Sequence, residues 1–244
     1  MTNLRHNMAI PAYGRIAELS DRSQKTSIEH AASPQLRTVQ FQWLSRLGEI
    51  NQRTTKVPDI PLFLMAFNAF ARGALVQTPR GPVAVEDLLP GMMVDTVGGA
   101  PARIGWTGCI SSGTIKDTNR AEFLYRITED SYGLGQGKPD LLLGPGARLM
   151  RPGQIGNDTA RLQSVVDLAD GQQVVQVAPR TSVQLFHIAL PYHRLIRVND
   201  VAVESFHPGH AADLAVSDDL FGQFASLFPH VRTLGEFGPL NYLR

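Results

Sequence analysis

The apolar positions of this chain change period once, near residue 74. Before that point they run at helical spacing. After Ser33-Pro34, which suits an N-cap and first turn, Val39, Trp43, Leu47 and Ile50 follow one another at helical intervals, with Phe41 and Leu44 widening the stripe; this predicts a helix over about 34–51. Residues 1–33 carry no sustained period and read as a loosely structured arm. The dense apolar run PLFLMAFNAF, which Asp59 and Pro61 introduce, is too short to cross a bilayer and reads as a buried helix leading into the main domain.

From Ala74 onward the chain breaks into short β-like runs separated by turn residues. ALVQT, PVAV, MMVDT and ARIGWTG are divided by Pro79-Arg80-Gly81, Pro90-Gly91 and Gly98-Gly99. Further strand candidates are AEFLYRI near 121, LLL near 141, QVVQV near 173, SVQLFHIAL near 182, RLIRV near 194 and VAVESF near 201. Closely spaced short strands predict a mainly β domain. SYGLGQGKPD and RPGQIGNDTA read as loops. Ser217 then caps a final helix carrying Leu220, Phe221, Phe224, Leu227 and Phe228 and stopped by Pro229. The expected organisation is an N-terminal arm and helix (1–60), a β domain (61–210) and a C-terminal helical extension (211–244).

Composition narrows the function classes. The 244 residues are 43% hydrophobic and 18% charged, enough for one sizeable core with appendages. With 23 basic and 22 acidic side chains the net charge is +1, which provides no field for nucleic acid or a membrane surface. Cys109, the single cysteine, has no partner for an intramolecular disulfide, and the first 21 residues hold no apolar run of signal-peptide or membrane-spanning length. A cytoplasmic location is the default expectation.

The candidate chemistry starts from AFARGALVQTPRGPVAVEDLLPGMMV, residues 69–94. This segment resembles the opening block of the Hint (Hedgehog/intein) domains of bacteria. PDLLLGPGARLM (139–150) is similar to the block in which that family carries its histidine, and VQLFHIALPYHRLIRVNDVAVESF (183–206) is similar to its closing strands. The resemblance spans about 67–210 and implies a β-horseshoe, here with flanking helices at both ends. It also implies an activity: a thiol or hydroxyl attacks the preceding carbonyl while a histidine protonates the departing amine. The positions that would carry these groups hold Ala69, Ala74, Gly144 and Ala147. His193 matches an internal family histidine, and Glu204-Ser205 stands where splicing members end in His-Asn.

The expectation is therefore a Hint-like domain that has lost autoprocessing and works as a non-catalytic binding or structural module. An old cleft lined by Ala69, Phe70, Ala147 and His193 would accept a peptide as an added strand. The alternative is a self-cleaving domain that cuts near Asn68/Ala69 with Cys109, Ser205 or Thr78 as the nucleophile. Some bacterial relatives of this domain are exported without a cleaved signal, which is the alternative to the cytoplasmic default.

The remaining chemical residues read as structural. A lone cysteine on a strand reads as a small buried apolar residue. His187, His193, His207 and His210 crowd the end of the domain, but zinc needs three or four converging ligands and the H-P-G-H turn offers two, so no metal and no cofactor are expected. Glu86-Asp87 reads as a cap on a short turn, and Glu204 as one half of an ion pair with His193 or Arg197. Gly133 to Gly137 lacks the strand-turn-helix context of a phosphate loop. Neither the protein partner nor the oligomeric state follows from the residues.

Overall fold

The computed structural model describes residues 35–114, 122–129, 131–133, 139–151, 153–154, 161–209 and 216–240. The expected arm at 1–33, His210, most of Gly133–Gly137 and much of the two long loops lie outside them. The described residues fall in one compact unit.

The main departure from the sequence reading comes first in the chain. The helix expected over 34–51 is a β-hairpin: β1 (Leu36–Leu44) pairs antiparallel with β2 (Ile50–Pro58) along its whole length, Leu36 opposite Pro58 and Leu44 opposite Ile50. Val39, Phe41 and Trp43 alternate, so on a strand they share one face; Val39 and Phe41 are each 1% exposed, whereas Leu47, counted in the helical stripe, is 87% exposed at the hairpin turn. Burial decides between the two periods, because only the strand puts all three large side chains on the core side. The turn is fixed by the Ser45 hydroxyl, which accepts from the N–H groups of Leu47 and Glu49, and by Gly48 at φ +80°.

The apolar run that follows is helical for only one turn, α1 (Pro61–Leu64), and is extended again by β3 (Phe70–Ala71). The rest is mainly β and antiparallel. Its strands are β4 (Leu75–Thr78), β5 (Gly81–Ala84), β6 (Met93–Val94), β7 (Ala102–Arg103), β8 (Trp106–Ser111) and β9 (Leu124–Ile127). They continue with β10 (Leu141–Leu143), β11 (Arg148–Met150), β12 (Leu162–Ser164), β13 (Val174–Val177), β14 (Gln184–Ala189), β15 (Leu195–Val198) and β16 (Val201–Glu204). Every strand run expected from the sequence overlaps one of these, though β5 is shifted one residue earlier than PVAV, and Val85 begins a short 3-10 turn. The three-residue strands β11 and β12 have no separate signal in the sequence.

The described strands form two open sheets and a small ribbon, with no closed barrel among them. The larger sheet has the order β13-β9-β10-β3-β14-β8-β1-β2, the second β12-β11-β16-β15-β4-β5, and β6 pairs with β7. The hairpin extends the larger sheet through β1, whose Val39 to Trp43 lie opposite Ile110 to Trp106 of β8. The tight β15–β16 turn uses Asn199 and Asp200 at positive φ (47° and 62°), and Asn199 also accepts from Leu75 N–H and donates to Pro139 O, tying both sheets' connections together.

The C-terminal helix starts where expected but is shorter: α2 (Asp218–Ala225) is capped by Ser217, which accepts from Leu220 N–H, carries Asp218 and Asp219 in its first turn, and ends before Leu227 and Phe228. Two larger cores result among the described residues. One is aliphatic and lies within the β domain, around Val76, Ile104, Leu149, Ile196, Val198 and Val203. The other is aromatic: Phe41, Phe63, Phe67, Trp106, Phe206, Phe224, Phe228 and Phe237 meet there, drawn from the hairpin, α1, the domain and the segment after α2.

Candidate functional site

The peptide joining Asn68 to Ala69 enters the larger sheet between β14 and the loop after β10. Ala69 N–H donates to Phe186 O at 3.0 Å, and Ala69 O accepts from Gly144 N–H at 2.9 Å. One residue back, Asn68 O accepts from Gly146 N–H at 3.2 Å, and Ala147 N–H closes the 144–147 turn on Gly144 O at 3.1 Å. The turn therefore lies against the junction, backbone on backbone.

The glycines in that turn are required by the closeness of the approach. A Cβ on Gly144 would stand 2.0 Å from Asn68 O, and one on Gly146 would stand 2.3 Å from Asn68 Oδ1 and 2.8 Å from Met65 O. Asn68 is only 4% exposed, and its Oδ1 is buried with no hydrogen-bond partner among the described residues. Such an acceptor costs about 1–3 kcal/mol.

Of the positions singled out in the sequence, Ala69, Ala74 and Ala147 fall together in the aliphatic core with Phe70, at 0%, 5%, 1% and 0% exposure. Ala74 follows Gly73, which takes φ +87°, and its carbonyl accepts from Val85 N–H. His193 is 1% exposed. Ala69, Phe70, Ala147 and His193, the residues expected to line a cleft, are all buried, and the 144–147 turn packs against the Asn68–Ala69 junction.

His193 takes part in a buried polar chain. Its Nε2 lies 2.6 Å from Glu204 Oε1, whose other oxygen is 3.8 Å from an Arg148 guanidinium nitrogen. Glu204 thus has the His193 partner the sequence suggests, and Arg148 takes the place of Arg197. Sequence reasoning misses Arg148 because it becomes a neighbour only through the pairing of Leu149 with Val203 between β11 and β16. The His193 ring lies 5.1 Å from that of His207, whose Nδ1 accepts from Gly209 N–H and whose Nε2 donates to Gly238 O. Both nitrogens of His207 are used. His187 is also buried; its Nδ1 accepts from Ile188 N–H and its ring stands edge-on to Phe70 and Phe206.

The other possible nucleophiles are elsewhere. Cys109 on β8 faces Phe186 of β14, which in turn pairs with Phe70, so the thiol is two strands, roughly 10 Å, from the junction strand. Burial pushes its pKa up to about 11, leaving it a neutral thiol near pH 7. Ser205 is fully buried and its hydroxyl accepts from Arg194 N–H. Thr78 closes the β4–β5 turn by donating to Gly81 O at 2.6 Å. The short turn at Val85–Asp87 has no side-chain cap, contrary to the reading of Glu86-Asp87; Glu86 instead accepts from Gly73 N–H at 2.8 Å and pairs with Arg72 at 3.5 Å. Among the described residues no three metal-ligating side chains converge, and no helix is long and apolar enough to cross a membrane.

Residues 68–210, more than half of the chain and including the junction, the 144–147 turn and the His193–Glu204 pair, match the Hint domain family model. The chain belongs to the Hint domain family. Among solved structures this Hint domain is similar to a bacterial intein-like domain from Clostridium thermocellum, at 12% identity and a TM-score of 0.42 over 57% of this chain and 99% of that one. It is also similar to the MchDnaB-1 intein, at 16% identity and a TM-score of 0.33 over 57% of this chain and 100% of that one. No curated protein matches it. The hairpin β1–β2, α1 and α2 lie outside the Hint match.

Proposed function

We propose that this Hint domain no longer processes its own chain and serves as a non-catalytic binding or structural module. The observation that carries the reading is what meets at the Asn68–Ala69 peptide: a methyl group at 69, another at 147, and two glycines whose missing side chains leave room for the junction itself. Amide-to-ester rearrangement needs a hydroxyl or thiol beside the carbonyl and an acid beside the departing nitrogen. Here the Ala69 nitrogen is held by Phe186 O and the Asn68 oxygen by Gly146 N–H, which are the bonds of a packed strand. Self-cleavage by Cys109, Ser205 or Thr78 is less well supported, because each hydroxyl or thiol is placed or occupied elsewhere.

The test is the intact mass of freshly purified full-length chain before and after prolonged incubation with a thiol and with hydroxylamine at neutral pH. A single species at the full-chain mass is expected. Fragments ending at Asn68 and beginning at Ala69 would overturn the reading.

A further inference from the structure

A cavity of about 480 Å³ opens where the appended hairpin, the Hint domain and the C-terminal segment meet. This is within the usual size of small-molecule sites. Its apolar wall is Leu44 at the end of β1, Ile104 after β7 and Val231 after α2, with the Tyr192 ring at the mouth, 61% exposed. Leu44 and Val231 come from outside the segment that matches the family, so the cavity is made by the additions as much as by the domain.

Its polar groups are unusual in being unused. Arg46 and Arg103 line the cavity, both exposed, and neither guanidinium has an ion pair or hydrogen bond among the described residues. The one carboxylate in the lining, Glu236, is already engaged by Arg232, through its side chain at 4.0 Å and its backbone N–H at 3.1 Å. His230 also lines the cavity, with its ring edge-on to Phe237 at 5.5 Å, and neither of its nitrogens has a partner among the described residues. Burial holds this imidazole neutral at pH 7, with a pKa lowered to about 4, so it carries a single N–H that nothing in the described chain accepts.

We infer that this cavity is a binding site for a small carboxylate with an apolar body. The apolar wall takes the body, and the two uncommitted guanidiniums hold the anionic head in the forked geometry they share with carboxylates. The charge is local, since the chain as a whole is nearly neutral, and it favours one compact anion over a polyanion. The site shares no residue with the Asn68–Ala69 junction, so it stands whether or not the chain processes itself.

The test is calorimetric titration of the full-length chain with octanoate and, at matched concentration, with octan-1-ol. Saturable one-to-one binding of octanoate is expected, at least tenfold tighter than the alcohol. Arg46→Gln combined with Arg103→Gln should weaken octanoate at least tenfold without moving Tm, because both side chains are exposed. Val231→Trp, which fills the cavity, should abolish binding. Absence of saturable binding by the native chain, equal affinity for the alcohol, or undiminished affinity in the double variant overturns the inference. Intact mass read on the same samples separates this outcome from any self-cleavage.

Discussion

The two larger cores among the described residues are built from different side chains and do different work. The aliphatic core belongs to the Hint domain, is made mostly of Val, Leu, Ile and Ala, and closes over the Asn68–Ala69 junction so tightly that two glycines are needed opposite it. The aromatic core draws the hairpin, α1 and the C-terminal segment onto Trp106 of the domain's own sheet, and leaves a cavity at its margin. Small branched side chains interdigitate at crystal-like density. Large rings packed edge to face, as Phe63 on Phe224 at 5.8 Å and Phe228 on Phe237 at 5.4 Å, bind separate segments together but leave gaps at their rim. In this chain the Asn68–Ala69 junction is buried against the aliphatic core, and a cavity of about 480 Å³ lies beside the additions.

The contrast can be broken most severely at Trp106. Its indole is fully buried, donates to Leu227 O at 2.8 Å and lies 5.1–6.3 Å from the rings of Phe41, Phe67, Phe206 and Phe228. Trp106→Ala should cost about 3–5 kcal/mol in denaturant unfolding. A loss below about 1 kcal/mol would mean that the flanking segments are loosely attached, and the two cores would then not be comparable.

Next is the polar chain beside the closed junction. Glu204→Ala leaves His193 and Arg148 without their carboxylate and should cost about 3 kcal/mol, with Glu204→Gln recovering part of it. If thermal unfolding shows both variants as stable as the native chain, the pair does not hold β16 in place.

The aromatic core carries a pH dependence through His230. Its folded pKa is lowered from 6.5 to about 4 by burial, partly opposed by Glu236. Below pH 6.5 the unfolded chain takes up a proton that the folded chain refuses. Stability is therefore full above that pH, falls as pH drops towards about 4, and levels beneath it, for a total on the order of 3 kcal/mol. His230→Phe should remove this slope from a stability–pH curve; an unaltered slope would assign it to other groups.

Two smaller changes sharpen the comparison. Gly144→Ala drives a methyl group into Asn68 O and should cost about 2 kcal/mol, whereas alanine at Gly222 on α2, where a Cβ meets nothing, should not destabilise. Equal unfolding midpoints for the two variants would show that the junction is not tightly packed. Arg53→Ala, which removes a cation from over the Trp43 ring at 5.9 Å on the hairpin, should cost no more than about 1 kcal/mol.

Much of the domain is legible in the chain because its strands are short and its turns are marked by Pro and Gly, as at Pro79-Arg80-Gly81. The hairpin is misread because Val39, Trp43, Leu47 and Ile50 satisfy a helical period while Val39, Phe41 and Trp43 satisfy an extended one. Only pairing with β8, a strand far along the chain, selects the second. The site is legible as a set of positions but not as a shape. Residue types at 69, 144 and 147 can be read off; that the glycines admit the Asn68 carbonyl, or that Arg148 reaches Glu204, depends on registers between distant strands. The cavity at Arg46, Arg103 and His230 gives no signal at all, since its residues come from three separated segments with no motif between them.

Intact mass of the Ala69→Cys variant tests the closure of the junction most directly. The account predicts an uncut chain even with hydroxylamine, because a thiol placed at position 69 sits beside a carbonyl held by Gly146 N–H in a packed turn whose residue 147 is alanine. Cleavage of that variant immediately after Asn68, giving an N-terminal fragment that ends there, would contradict it.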